Sequence, residues 1–117
     1  MRLWEQDQPL AFTAISERVR VLFTALGYRT IVDVVADTDG RVGSTQFSNW
    51  AVGSSRPGID TAIYLRFRFG ITLDWLYCGD ASGLSLALAN RLRETHQLVQ
   101  AGDLRLIGTA RGPRPKG

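Results

Sequence analysis

The hydrophobic pattern of the chain steps by threes and fours, the spacing of helices rather than strands. Ile15, Val19, Leu22 and Leu26 form one such stripe, with Glu17, Arg18 and Arg20 off it, and predict a helix from Phe12 or Thr13 to Leu26. Gly27 is placed to end it in the left-handed conformation. Thr30 then offers an N-cap with Asp33 three positions on, so a short second helix starts there with Ile31, Val34 and Val35 inward. Asp37-Thr38-Asp39-Gly40 has the composition of a turn. A third helix opens at Gly43 or Ser44 and closes at Gly53. Phe47, Trp50 and Ala51 share its inner stripe, and Thr45, Gln46 and Asn49 fall on the other side.

Pro57 and Gly58 break the pattern before a fourth helix, from about Ile59 to Phe69, with Ala62, Leu65 and Phe69 inward and Gly70 at its end. Thr72 caps a fifth, where Leu73, Trp75 and Leu76 crowd one turn before Gly79. Ser82 is the expected cap of a sixth, Gly83 to about Gln100, carrying Leu84, Leu88 and Leu92 on one face and Thr95, Leu98 and Val99 beyond. Leu104-Arg105-Leu106-Ile107 alternates weakly and reads as a short strand or as part of a tail. These elements give an all-α expectation. An N-terminal arm occupies 1–11, five helices 12–80, a C-terminal helix 81–102 and a basic flexible tail 103–117. Trp4, isolated in the arm, either folds back on the core or anchors a partner.

Composition narrows the function classes. The 117 residues, 44% apolar and 21% charged, suit one globular domain. No apolar run is long enough for a membrane span and no stretch resembles a signal peptide, so a cytoplasmic protein without membrane contact is expected. One cysteine and one histidine support neither a disulfide nor a convincing zinc site, and no cofactor or metal is expected. Cys78 reads as a small packing residue, His96 as an exposed or capping one, and Asp74 as a carboxylate favouring a helix dipole. With no Ser-His-Asp grouping and no glycine-rich phosphate loop, an enzyme is not expected. The net charge of +3 is uneven: residues 1–80 carry eight arginines against nine acids, whereas 81–117 carry six basic residues against two acids. The surplus therefore sits in the tail. Near the third helix, Arg41 and Arg56 flank a stretch without any acid.

Val42-Gly43-Ser44-Thr45-Gln46-Phe47-Ser48-Asn49-Trp50, with Gly53 and Arg56-Pro57 after it, resembles the lambda-repressor-like helix-turn-helix family, also called the XRE family. Phe69-Gly70-Ile71-Thr72-Leu73-Asp74-Trp75-Leu76 resembles the end of that family's domain, and the likeness covers roughly Ile15 to Asp80. It implies a five-helix DNA-binding domain of a bacterial or phage transcription regulator. Such a regulator is usually a homodimer on a palindromic double-stranded operator, with the third helix in the major groove. By position, Ser44, Thr45, Gln46 and Asn49 would read bases, and Gln or Asn can pair bidentately with adenine. Thr30, Arg41, Ser48 and Arg56 would contact the backbone. The chain departs from the pattern at Ala51, where glutamate is frequent, at Thr30 or Ile31, where glutamine is usual, and at Arg66, where a small buried alanine is usual. The link from Ala36 to Val42 is also one residue longer.

The expected function is thus a sequence-specific regulator, a repressor by simple occupancy. The departures and the acidic balance of residues 1–80 motivate an alternative, a module of the same fold that binds a protein as an antiactivator or antitoxin-like partner. The apolar stripe of the sixth helix has two possible covers, its own domain or a second chain.

Overall fold

The first helix, α1 (Phe12–Ala25), carries much of the packing in the computed structural model, which describes residues 11–108. Residues 1–10 of the expected arm, with Trp4, and 109–117 of the expected tail lie outside the described residues. After α1 come α2 (Ile31–Asp37), α3 (Ser44–Ala51) and α4 (Ile59–Phe69), then a π-helical turn (Asp74–Cys78), a 3₁₀ turn (Ala81–Gly83) and α5 (Leu86–Gln100). Every regular element among the described residues is helical, as the periodicity predicts.

More of α1 is buried than a single stripe requires. Ile15, Val19 and Leu22 are fully buried as expected, but so is Phe23, and Val21 and Ala25 are also inside. The helix needs these extra faces because α3, α5 and the π-helical turn all pack on it. Phe23 is the hub of an aromatic cluster, with ring centroids 5.6 Å from Tyr28, 5.5 Å from Phe47 and 5.5 Å from Phe69. Phe47 continues the cluster to Trp50 at 5.8 Å. These spacings and the edge-on or tilted rings are the favourable aromatic geometry, so three helices and a loop share one apolar centre.

The α1–α2 loop and the ends of α2 are fixed by polar contacts. Thr30 and Asp33 form the predicted capping box: the Asp33 N–H donates to Thr30 Oγ1 at 3.1 Å and the Thr30 N–H to Asp33 Oδ2 at 3.3 Å. At the other end Tyr28 donates to the Asp37 carboxylate, which also pairs with Arg68 of α4 at 2.8 Å. Burial, and then the Asp37 carboxylate, push the Tyr28 hydroxyl up to about 12.

Three expectations change in the second half. The fifth helix is a single π-helical turn, capped by Thr72, whose Oγ1 accepts from the Trp75 N–H at 2.9 Å. The wider turn buries Trp75 and Leu76 together while leaving Cys78 exposed rather than packed. Ser82 does not start α5: its N–H is taken by Asp80 Oδ1 at 2.9 Å, which holds that carboxyl below its usual range. Ser85 is the cap instead, accepting from Leu88 N–H at 3.1 Å. Leu84 therefore precedes the helix.

The stripe of α5 is covered only in part by its own chain: Leu92 and Thr95 are buried where α5 packs on α1, Leu84, Leu88 and Val99 are half-buried, and Leu98 is exposed. Residues 104–108, expected as strand or tail, are neither. Leu106 and Ile107 are buried, the Ile107 N–H donates to Thr24 Oγ1 at 2.9 Å, and Arg20 Nε donates to the Ile107 carbonyl at 3.0 Å. This strap crosses α1 and brings Gly108 so close to α3 that a Cβ there would stand 3.2 Å from Ala51 and Phe47. Burial lowers the Arg20 guanidinium from its ordinary value, with Glu17 opposing.

Candidate nucleic-acid interface

Helix α3 owes its position to two side chains with almost no solvent contact, Phe47 at 0% and Trp50 at 1%. With these inward, 100° per residue turns Thr45, Ser48, Asn49 and Val52 outward. All four are exposed, and so is Ser44 at the first turn. The exposed polar groups are hydroxyls and one carboxamide, with no charge among them.

Gln46 lies to the side of that face. Its Oε1 accepts the Gly43 N–H at 3.1 Å, satisfying an amide that the helix start leaves free, and its Nε2 donates to Thr61 Oγ1 of α4 at 3.2 Å. The carboxamide expected to read a base is engaged at both ends, one within α3 and one across to α4. The signal for this was the Gln at N3 of a helix opening on glycine, half of a capping box. Thr61 is too far away in sequence to have been paired with it.

The connection from α2 to α3 spans residues 38–43 and is organised by Thr38, 1% exposed. Its hydroxyl donates to the Val34 carbonyl at 2.8 Å and accepts from the Val42 N–H at 3.2 Å. Gly40 N–H closes back on the Val35 carbonyl at 2.9 Å, and Asp39 takes φ 58, a left-handed conformation that Asp tolerates. The extra residue is thereby absorbed into a closed turn, with Val42 fully buried behind it. At the far end Gly53 needs φ 77, and its missing Cβ would stand 3.0 Å from the Thr13 side chain of α1.

Arg41 and Arg56 stand at the two ends of α3, each laid over an aromatic ring: Arg41 on Tyr64 and Arg56 on Phe12, both 5.1 Å from the centroid. Stacking restrains a long side chain while leaving its guanidinium donors toward solvent. Tyr77 fastens the loop beside Arg56 by donating to the Pro57 carbonyl at 2.7 Å, and its burial raises its pKa. Thr30 keeps a hydroxyl proton to donate, because its oxygen accepts from Asp33. The Asp33 carboxylate, however, lies at the same helix start, over the Arg29 and Thr30 N–H groups.

Two residues singled out in sequence stand apart from this surface. Arg66 is exposed and lies over the Phe67 ring at 5.1 Å, so no charge is buried there. His96 sits on α5 with Nε2 3.2 Å from Gln100 Nε2 and 3.9 Å from Glu17. Among the described residues no group of three or more His, Cys, Asp or Glu is arranged to hold a metal, and no helix is long and apolar enough to cross a membrane. No protein-family model, curated protein or solved structure matches the chain.

Proposed function

We propose that the protein is a sequence-specific DNA-binding regulator of the lambda-repressor-like helix-turn-helix kind, with α3 in the major groove. The observation that carries this reading is the outward face of α3. Thr45, Ser48 and Asn49 are exposed and uncharged on a helix whose inner side is locked by Phe47 and Trp50. A surface that merely keeps a helix wet is usually charged, whereas groups that both donate and accept match base edges. Asn49 is the adenine reader, Ser44, Thr45 and Ser48 reach bases or adjacent phosphates, and Arg41, Arg56 and Thr30 hold the backbone. Gln46 positions α3 against α4 instead of reading. A homodimer on a palindromic operator could still draw on α5, where Leu86 and Leu98 are exposed while Leu92 and Thr95 are buried.

A second reading, a module that binds a protein partner, draws on α4. Ile59, Ile63 and Phe67 recur every fourth residue and are 57%, 41% and 75% exposed, on the flank turned away from Thr61 and α3. Selection of bound duplexes from a random library, with wild type and Asn49→Ala side by side at one fixed salt concentration, separates the two. DNA reading predicts an enriched motif in which Asn49→Ala loses one adenine preference. A folded sample that enriches nothing excludes it.

A further inference from the structure

We infer that α4 is a self-association surface: two copies of the chain pair through it, antiparallel, about a twofold axis passing at Ile63. This does not depend on what α3 binds, and it assigns the apolar flank of α4 to a second copy rather than to a different protein. Ile59, Ile63 and Phe67 are exposed and recur every fourth residue. They form a ridge of the kind that interdigitates in the commonest class of helix packing. The direction of the ridge is fixed from behind. Ala62 and Leu65 are fully buried, Thr61 accepts from the Gln46 carboxamide, and Arg68 is paired with Asp37.

What names the occupant is the register of the charges. An antiparallel twofold at position 63 sets each residue opposite the one equally far beyond 63 in the other copy. Ile59 then meets the partner's Phe67, Ile63 meets the partner's Ile63, and Asp60 meets the partner's Arg66. Each opposed pair is apolar with apolar or acid with base, and the twofold makes the ion pair twice. Within one chain Asp60 and Arg66 stand on opposite sides of the ridge, about 240° apart around the helix, so they do not pair with each other. Both are exposed, and Arg66 rests over the Phe67 ring, which keeps it beside the ridge. Helix α5 offers no such surface. Its exposed leucines, Leu86 and Leu98, are about 18 Å apart along the helix and a third of a turn around it, so they form no ridge.

The test is sedimentation of the full chain over a wide range of concentration. Wild type should show a reversible monomer–dimer equilibrium, since one helix from each chain makes a small interface. Asp60→Arg and Arg66→Asp each set like charges against one another twice, and each should weaken the dimer about tenfold. An equimolar mixture of the two variants restores both acid–base pairs and should return to the wild-type affinity. Because both positions are exposed, each variant should keep the wild-type circular dichroism. In a Cys78→Ser chain, Ile63→Cys should form an interchain disulfide on mild oxidation and Ile59→Cys should not. At the axis of a packed helix pair the related Cα atoms stand about 4–5 Å apart, within disulfide reach. A wild type that stays monomeric at every concentration overturns the inference. So does a dimer that the charge variants leave intact, a mixture no tighter than either variant alone, or a disulfide that forms at 59 as readily as at 63.

Discussion

Gln46 and Thr61 join α3 to α4 through one hydrogen bond, 3.2 Å long, while the other end of the same carboxamide closes the start of α3. One side chain thus sets both where α3 begins and how it lies against its neighbour. Gln46→Ala removes both bonds and should cost about 1–2 kcal/mol of stability, each net hydrogen bond contributing about 1 kcal/mol. Thr61→Val should cost less, and the double variant less than the sum of the two, because they share a bond. Denaturant titration of the three variants checks this. If the double-variant cost is additive, the two residues are not coupled.

Arg41 and Arg56 are exposed and held over the rings of Tyr64 and Phe12. Each should behave as a backbone contact: Arg41→Ala and Arg56→Ala should weaken all duplexes alike, without altering the preferred sequence. Each should also lower the slope of log affinity against log salt by about 0.9, the value for one phosphate. Fluorescence titrations at several salt concentrations measure both quantities. An altered motif with an unchanged slope would reassign these arginines to base reading.

Thr38 is the buried link between α2 and α3, bonded to Val34 above and Val42 below. Thr38→Val keeps the shape and leaves the Val42 N–H without its partner in a fully buried position. The expected cost is about 1–3 kcal/mol, and hydrogen exchange at Val42 should accelerate by more than the global loss explains. Exchange that follows only global unfolding would place the hinge elsewhere.

Tyr28 sets an alkaline limit. Its hydroxyl ionises near pH 12 in the fold against about 10 when unfolded, so the unfolded chain sheds this proton first. The stabilisation is complete below pH 10 and is lost as pH rises toward 12. Tyr77, raised in the same direction, adds to the decline. Melting temperatures between pH 9 and 12 should fall more steeply for wild type than for Tyr28→Phe. Identical slopes would show that Tyr28 has no part in it.

The first four helices were legible because their stops are local. Gly27, Gly53, Gly70 and Pro57 act through their own backbones, and Thr30 finds its partner Asp33 within one turn. What escaped the sequence depends on partners far away or on competition between near-equals. Phe23 lies off the expected stripe and becomes central only because Phe47 and Phe69 converge on it. Ser82 and Ser85 are both plausible caps, but Asp80 starts a 3₁₀ turn over Ala81–Gly83 that ends at extended Leu84, so Ser82 lies inside that turn and Ser85 starts α5. At the candidate site, the polar character of α3 was visible at Ser44, Thr45 and Asn49. The engagement of Gln46 was not, because Thr61 belongs to the next helix.

The strap from Leu104 to Gly108 has a consequence for the order of assembly. Ile107 meets Thr24 and Arg20 across separations of 83 and 87 positions, and Gly108 comes up against Phe47 and Ala51. Such contacts close the longest loops in the fold and form late, since their entropy must be met before they give anything back. Until residues 104–108 dock, α3 therefore keeps one flank uncovered, and its inner side is completed late in folding.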